Sequence, residues 1–253
     1  MDYRYYALSD KGLRRENNED NYLVDTSDTK AGQIFAVADG MGGHAAGETA
    51  SRIVCHELKE QWHAGFTALA DQQDDNDELV FLMEKIIYTV HKKILGFAEK
   101  NPDLFGMGCT LSSLILRDSR GLIGHVGDSR IYRFRAGVLE QLTKDHTELQ
   151  RYIDLGRLTK EEAASHHLRH ILSQAIGGKS DSFSRAFTLV FDVEPGDIFL
   201  LCSDGLYDMT GDAMIEEVLA AGLDLQETGD KLLQKALDKG GKDNVTLLLV
   251  KGE

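Results

Sequence analysis

Carboxylate side chains recur in this sequence at the ends of short apolar runs, where they could bind a metal ion. The run from Ile34 to Ala38 is typical of a buried strand, and it is followed by Asp39, Gly40, Gly42 and Gly43. A carboxylate binds hard cations through oxygen, and glycines let backbone carbonyls approach the ion because they carry no Cβ. One aspartate cannot complete a catalytic metal site, so the remaining ligands must come from elsewhere in the chain.

Further acidic residues lie beside other predicted strands: Glu19, Asp20, Asp128, Asp204, Asp208 and Asp243. Carboxylates that are brought together repel, and one takes up a proton unless a cation lies among them. An all-oxygen ligand set favours Mg²⁺ or Mn²⁺ over zinc. Taken singly, each acidic motif is weak evidence for a metal site, because Asp-Gly after a strand is usually a turn and the Glu19-Asp20 pair is more often part of a solvated loop. Their conjunction in this order is much more specific.

The elements that must position these carboxylates fall into blocks of strands and blocks of helices. Apolar and aromatic runs predict strands over residues 3–9, 22–24, 34–38, 110–116, 122–126, 131–134, 138–142, 185–193, 198–202 and 245–250. Periodicity predicts helices over 45–62, 78–100, 148–155, 160–164, 212–221 and 225–239, with a polar loop over 65–77. This grouping favours an α+β fold with antiparallel sheets faced by helices over a βαβ winding.

Composition is that of an ordinary soluble globular protein. The 253 residues are 42% hydrophobic and 28% charged, with only two prolines and no low-complexity tract, which favours one folded unit over residues 1–253. No apolar run is long enough to span a membrane, and the start lacks the basic-then-apolar layout of a signal peptide, so we expect a cytoplasmic protein. The net charge of −14 disfavours nucleic acid and anionic membranes as partners.

The three cysteines are widely spaced, and each lies in an apolar segment: Cys55, Cys109 and Cys202. We interpret them as buried free thiols in a reducing cytoplasm, with a disulfide or a zinc site as the minor alternative.

At this point the chain resembles a known family. Its ordered motifs are Arg15-x-x-Asn-Glu-Asp20, Val37-Ala-Asp-Gly-Met-Gly-Gly-His44, Gly106-Met-Gly-Cys-Thr110, Val126-Gly-Asp-Ser-Arg130, Leu142-Thr-x-Asp-His146, Ser203-Asp-Gly-Leu-x-Asp208 and Asp243-Asn244. They are similar to those of the type 2C, metal-dependent serine/threonine protein phosphatases in their bacterial form. The resemblance runs from Leu8 to Val250 and implies a four-layer αββα sandwich, two antiparallel sheets flanked by helices, with a metal centre at one end.

The resemblance also implies a role for each site residue. Asp39 bridges two metals, Gly40 offers its carbonyl to the second, and Asp204 and Asp243 bind the first. Glu19 binds the second metal through water, and Asp20 orients metal-bound water from the outer shell. Asp128, with Asp204 and Asp208, forms a third-metal site. Arg15 grips the substrate phosphate.

The residue types fit this chemistry independently. Two Mn²⁺ or Mg²⁺ ions can share a water and lower its pKa towards roughly 7, and the hydroxide then attacks phosphorus directly. The metals and the guanidinium of Arg15 neutralise charge on the phosphoryl oxygens. No Gly-x-Ser-x-Gly elbow is present, so no covalent nucleophile is expected.

Three features depart from the family pattern. Met41 replaces a histidine proposed as general acid in many eukaryotic members, so a metal-bound water is the first choice of proton donor; His44 is the other candidate, although we interpret it as a brace of the glycine loop. Cys109 replaces a threonine, which indicates a packing change or a redox-sensitive thiol. Residues 143–182 match the mobile flap, where His166, His167 and His170 indicate a polar helix start more than a metal site.

These features predict a phosphatase acting on phosphoserine and phosphothreonine in proteins, opposing a bacterial serine/threonine kinase in signalling. A pseudophosphatase that binds phosphoproteins without turnover is the alternative, and it is disfavoured because every ligand position is filled. A metal-dependent phosphodiesterase or nuclease is disfavoured by the acidic charge. A monomer is the default expectation.

Overall fold

Thirteen strands and six α-helices are found in the computed structural model, which describes residues 1–43, 45–70, 75–159, 162, 166, 168, 171–178 and 183–253. The strands are β1 Tyr3–Asp10, β2 Asn21–Asp25, β3 Gln33–Ala38, β4 Gly40–Met41, β5 Gly108–Cys109, β6 Leu111–Arg117, β7 Arg120–Val126, β8 Arg130–Arg135, β9 Val138–Gln141, β10 Ile176–Gly177, β11 Phe187–Asp192, β12 Ile198–Cys202 and β13 Val245–Gly252. The helices are α1 Ala45–Ala68, α2 Asn76–Lys100, α3 Glu148–Asp154, α4 Asp204–Thr210, α5 Asp212–Ala220 and α6 Leu225–Asp238.

Two five-stranded antiparallel sheets form the centre of the molecule. One has the order β1-β13-β12-β8-β9 and the other the order β11-β7-β6-β3-β2. A small third sheet joins β10, β5 and β4. In the pairing registers, Asn21 lies opposite Ala38 and Cys202 opposite Leu247, so the carboxyl ends of β3 and β12 lie beside the amino ends of β2 and β13. Residues that follow β3 or β12, or precede β2 or β13, therefore gather at sheet ends.

Alternation of apolar side chains along single strands divides the interior into three cores. In β3, Ile34, Ala36 and Ala38 face a core shared with α1 and α2, whereas Phe35 and Val37 face a middle core between the sheets. Successive strand residues point to opposite faces, so a strand that is apolar throughout must be covered on both sides. The four-layer αββα fold implied by the resemblance is confirmed.

The second outer core lies between the other sheet and helices α4 to α6. Leu247 and Leu249 of β13 contribute to it, while Leu248 and Val250 of the same strand enter the middle core. Fully burying an aliphatic side chain of this size contributes about 1.5–3 kcal/mol. The two central strands β12 and β13 are thus fixed from both faces.

The predicted loop over 65–77 is wrong in part. Helix α1 continues to Ala68 because Trp62 and Phe66 are buried, and the Trp62 indole donates to the Ala31 carbonyl at 2.8 Å. A Cβ on Gly65 would lie 2.3 Å from Leu82 Cδ1, so this glycine allows close contact between two helices. Helix α2 begins at Asn76 after the N-cap Asp75, whose side chain accepts from the Asp77 amide.

Two other elements were absent from the predicted set. Helix α4 starts directly after β12, and the small sheet pairs β4 with β5 and β5 with β10. The segment 143–182 therefore contributes a strand as well as the predicted helix at 148. The predicted helix over 160–164 lies outside the described residues except for Glu162.

Among the residues that the structure describes, no helix combines the length and the apolarity needed to cross a lipid bilayer.

Candidate active site

A cavity of about 710 Å³ opens at the end of the sandwich where β3, β7 and β12 finish and β13 begins. Its walls include eight of the residues singled out in the sequence: Arg15, Glu19, Asp39, Gly40, Asp128, Asp204, Asp208 and Asp243. Asp39 follows a strand of one sheet, and Asp204 and Asp243 flank strands of the other. The cavity thus lies across the seam between the two sheets.

The backbone of Asp39 is fixed by two hydrogen bonds to Thr110. Its amide donates to Thr110 Oγ1 at 2.9 Å, and its carbonyl accepts from the Thr110 amide at 2.9 Å. Thr110 Oγ1 is in turn 2.7 Å from Ser129 Oγ, beside Asp128. These paired bonds fix the two chain segments that carry Asp39 and Asp128 relative to each other.

Two glycines bring Glu19 and the backbone of Gly40 together at the first turn of α1. A Cβ on Gly40 would lie 2.4 Å from the Gly47 carbonyl oxygen, and one on Gly47 would lie 2.3 Å from Glu19 Oε2. Real Cβ atoms do not approach so closely, so no larger residue fits without displacement. Ser51, one turn further along α1, donates to the Glu19 carbonyl at 2.8 Å.

Asn244 fixes the loop between β1 and β2 that carries Arg15 and Glu19. Its amide nitrogen donates to the carbonyls of Lys11 and Asn17, and its oxygen accepts from the Glu19 amide at 2.9 Å. The side chain is 5% exposed, so these bonds are shielded from water. The sequence motif included Asn244, but nothing local in the sequence indicates that it clamps a loop more than 200 positions away.

Arg15 lies at the mouth of the cavity. Its Nη2 donates to Asp243 Oδ2 at 2.6 Å, and this bond is the main cause of the raised pKa of the guanidinium. The side chain remains 54% exposed. A planar guanidinium that is already oriented by one carboxylate can still present donors to a phosphate.

The carboxylates inside the cavity are electrostatically strained. Burial raises the pKa of Asp39 and of Asp204 well above the usual value, and neighbouring aspartates raise both further. Burial, with the charge of Asp145, raises the pKa of Asp128 to about 7. Carboxyl groups packed in this way favour the uptake of a proton unless a cation neutralises their charge.

Asp20 does not line the cavity but lies directly behind it, 7% exposed. Its Oδ2 accepts from Ser203 Oγ at 2.7 Å, whereas its Oδ1 is buried without a hydrogen-bond partner. Burial raises the pKa of Asp20 to about 6. An unpartnered buried carboxylate oxygen normally costs about 1–3 kcal/mol.

The donor set fits divalent cations. It consists only of oxygen, its carboxylates repel one another, and the carboxylate just behind it keeps an unpartnered oxygen. Within the described ranges, no group of three or more His, Cys, Asp or Glu side chains is arranged so that it could hold a metal ion by itself. Six carboxylates instead line the open cleft together.

Behind Asp128 lies a charged network that links β8, α4 and the start of the 143–182 segment. Arg130 makes a bidentate pair with Asp145, with Nη2–Oδ2 at 2.7 Å, and its guanidinium lies 3.7 Å from the centre of the Tyr207 ring. Tyr207 donates to the Asp128 carbonyl at 3.0 Å. Sequence reasoning did not identify this support, because Arg130 and Asp145 are separated by a hairpin.

The segment 143–182 forms one wall of the cavity through Leu172, Gln174, Ala175 and Gly178. Its described residues are joined to the body of the protein by backbone bonds: the His146 amide donates to the Gly127 carbonyl and the Gly178 amide donates to the Met107 carbonyl. His167 and His170 lie outside the described residues.

Two positions that depart from the family pattern, Met41 and Cys109, lie in different environments. Met41 lines the cavity, whereas His44 lies outside the described residues. Cys109 is fully buried opposite Gly40 in the small sheet, and burial raises the pKa of its thiol well above the usual value. All three cysteines are free and buried, in agreement with the prediction.

An oxygen-rich cleft with a guanidinium at its mouth, set at the end of a two-sheet sandwich, defines a class of enzymes that act on phosphate esters. Comparison with known proteins gives the family. The model of the family "Protein phosphatase 2C" matches residues 13–241. The serine/threonine phosphatase stp of Listeria innocua is 39% identical over 242 residues, covering 96% of this chain and 93% of that protein.

PstP of Mycobacterium tuberculosis is 38% identical over 97% of this chain, which spans 44% of that longer protein. The solved catalytic domain of PstP, in complex with two manganese ions, is similar at 36% identity and a TM-score of 0.77, covering 98% of this chain and 97% of that one. The serine/threonine phosphatase of S. agalactiae superposes with a TM-score of 0.87 at 34% identity, covering 99% and 100%. The chain belongs to the protein phosphatase 2C family and is a serine/threonine protein phosphatase.

Proposed function

We propose that this phosphatase removes phosphate from phosphoserine and phosphothreonine in proteins, with two Mn²⁺ or Mg²⁺ ions bound in the 710 Å³ cavity. The observation that carries the proposal is the convergence of six carboxylates and Arg15 on that one cavity. The manganese ions in the catalytic domain of PstP support the choice of metal.

In this proposal Asp39 would contribute to holding both cations, Gly40 and Glu19 would hold one of them, and Asp204 and Asp243 would hold the other. A third cation would be held by Asp128, Asp204 and Asp208, which line the same cavity. When bound, the cations supply Lewis acidity that activates water and neutralises phosphoryl charge.

The protein's own residues position the reactants. Arg15 binds phosphoryl oxygens while Asp243 fixes the plane of its guanidinium. Asp20, which accepts from Ser203 and keeps a buried oxygen without a hydrogen-bond partner, would orient water from behind the cavity. Met41 carries no acidic proton, so the leaving alcohol takes its proton from solvent in the cavity.

The remaining elements of the proposal concern the cell. The chain acts as one catalytic domain over residues 1–253, with residues 143–182 as a flap that helps to select substrates. It reverses a serine/threonine kinase in bacterial cytoplasmic signalling, and it acts as a monomer.

A single set of assays tests the proposal. We expect hydrolysis of p-nitrophenyl phosphate and of a phosphothreonine peptide with Mn²⁺, and loss of both with EDTA. Asp39→Asn should reduce kcat by about 10²–10³-fold, because a charge that organises the reacting groups is removed. Asp238→Asn, on the exposed face of α6, is the control and should retain full activity. A metal-loaded wild type that binds phosphopeptide without turnover would contradict the proposal and favour a pseudophosphatase.

A further inference from the structure

Three basic side chains lie at or beside the cavity, and the proposed chemistry uses only Arg15. Arg14 directly precedes Arg15 in the chain, Lys242 directly precedes Asp243, and both side chains are exposed. Across the part of the chain that the structure describes, neither Arg14 nor Lys242 has an ion-pair partner, whereas Arg15 pairs with Asp243. We call Arg14, Arg15 and Lys242 the basic rim.

The loops that carry the basic rim are joined into one rigid unit. The Leu13 amide donates to the Gly241 carbonyl at 2.8 Å, and Asn244 donates to the carbonyls of Lys11 and Asn17. A Cβ on Gly12 would lie 2.1 Å from the Asp243 carbonyl oxygen, so the two loops are in backbone contact. Charges on a fixed backbone can recognise a ligand with little loss of chain entropy.

Each outer cation has space beside it. Lys242 lines the main cavity, and Arg14 lines a second cavity of about 200 Å³. The second cavity shares Arg15, Glu19 and Gly43 with the first, so a peptide whose phosphoresidue reaches Arg15 extends past one or both of the outer cations. Glu16 also lines the second cavity and opposes an anion there.

The basic rim differs in charge from the molecule as a whole, which is acidic. The chain contains 42 acidic and 28 basic residues, so most of its surface repels an acidic substrate segment. Unpaired cations beside the phosphate site offer such a segment a local attraction, and they position it at the same time.

We propose that Arg14 and Lys242 bind a second anionic group on the substrate chain, either an acidic side chain or a second phosphate, next to the phosphoresidue held by Arg15. The inference rests on the proposed function, and it makes the enzyme selective for phosphosites in acidic or multiply phosphorylated segments. A partly exposed ion pair contributes about 0.2–1 kcal/mol, which is roughly 1.5- to 5-fold in kcat/KM for each cation.

The test uses three phosphothreonine peptides that differ only beside the phosphoresidue: one with neutral neighbours, one with aspartates and one with a second phosphothreonine. The readout is selectivity, defined as kcat/KM for each anionic peptide divided by kcat/KM for the neutral peptide with the same variant. We expect selectivity above 1 in the wild type and a fall of roughly 2- to 25-fold in Arg14→Ala/Lys242→Ala, which is the product of the two single effects. Glu16→Gln should raise it, because a competing carboxylate is removed.

Lys231→Ala, an exposed lysine on α6, is the matched control and should leave selectivity unchanged. High salt should reduce the selectivity of the wild type, since exposed charges are screened. Preference for the aspartate peptide assigns the rim to carboxylates, and preference for the doubly phosphorylated peptide assigns it to phosphate. Equal selectivity in wild type and double variant overturns the inference, whereas failure to hydrolyse p-nitrophenyl phosphate overturns the proposed function instead.

Discussion

Arg15 combines exposure with a fixed orientation, because Asp243 holds one side of its guanidinium at 2.6 Å. We expect Arg15→Ala to raise KM for p-nitrophenyl phosphate by about 10- to 100-fold, since hydrogen bonds to a charged group contribute about 1.5–3 kcal/mol. Arg15→Lys should recover part of the loss, because an ammonium keeps the charge but not the planar fork. Steady-state kinetics separate KM from kcat, and an unchanged KM in Arg15→Ala would remove Arg15 from the phosphate site.

His125 gives the stability of the protein a dependence on pH. It is fully buried between Ser112, the Lys144 carbonyl and the His146 ring, and burial lowers its pKa to about 3. The unfolded chain therefore binds a proton near pH 6.5 that the folded chain does not, so stability falls as the pH drops below about 6.5.

Between pH 7.5 and 5 we expect His125 to account for a loss of about 2 kcal/mol in the free energy of unfolding. His146 has a pKa lowered mainly by burial and adds to the loss in the same direction. Denaturant unfolding at the two pH values, in wild type and in His125→Gln, measures the difference. An identical pH slope in the two proteins would show that His125 does not contribute.

At the scale of single residues, the sequence motifs predicted which side chains line the cavity, because residue type and order carry that information. They did not predict what holds those side chains. The Asn244 clamp and the pairing of Arg130 with Asp145 join segments that meet only in the folded chain. Lys242 was overlooked because a lysine beside a turn is usually a solvated residue.

At the scale of elements, two helical glycines make a matched pair. Gly47 in α1 has no room for a Cβ, which would lie 2.8 Å from the backbone carbon of Gly40, whereas Gly96 in α2 has no atom within 4 Å of that position. Helix propensity alone favours alanine at both positions by about 0.5–1 kcal/mol. The two replacements should nevertheless have opposite effects.

We expect Gly96→Ala to stabilise the protein by about 0.5–1 kcal/mol and leave activity unchanged. Gly47→Ala should destabilise it by about 1–3 kcal/mol and reduce activity, because overpacking displaces Glu19 and Gly40. Thermal unfolding and p-nitrophenyl phosphate turnover measure both effects. A fully active, stabilised Gly47→Ala would show that the contact between α1 and the glycine loop is not needed.

Long apolar strands and amphipathic helices were predicted with ends close to those observed, because burial imposes their periodicity; the exception is α1, which continues from residue 62 to Ala68. The predicted loop at 65–77 was wrong in part because it was inferred from the polarity of the segment, whereas α1 is extended by the burial of Phe66 and by the contact of Gly65 with Leu82 of another helix. The two-residue strands of the small sheet leave no periodic signal, since their pairing depends on contact between Gly40 and Cys109. Helix α4 spans only Asp204–Thr210, too short for a helical pattern to emerge.

At the scale of the whole molecule, divalent cations should stabilise the fold. Burial is the largest cause of the raised pKa of Asp39 and Asp204, and repulsion from neighbouring aspartates is the next. Bound cations would relieve that repulsion. Mn²⁺ at 100 times its Kd should add about 2.7 kcal/mol, which corresponds to a rise in Tm of roughly 5–10 °C for a chain of this size. Differential scanning calorimetry with EDTA or Mn²⁺ measures the shift, which Asp39→Asn should reduce; an equal Tm in the two buffers would contradict cation binding.

The middle core between the two sheets affects the geometry of the cavity. Asp39 follows a strand of one sheet, and Asp204 and Asp243 flank strands of the other. The distance between these carboxylates is therefore set by apolar side chains that lie between the sheets and do not line the cavity. Phe35, Phe199 and Leu248 fill that interior from both sides and are fully shielded from solvent. Apolar packing thereby sets the spacing between carboxylates that belong to different sheets, so a change of side-chain volume in the middle core should alter the width of the cavity.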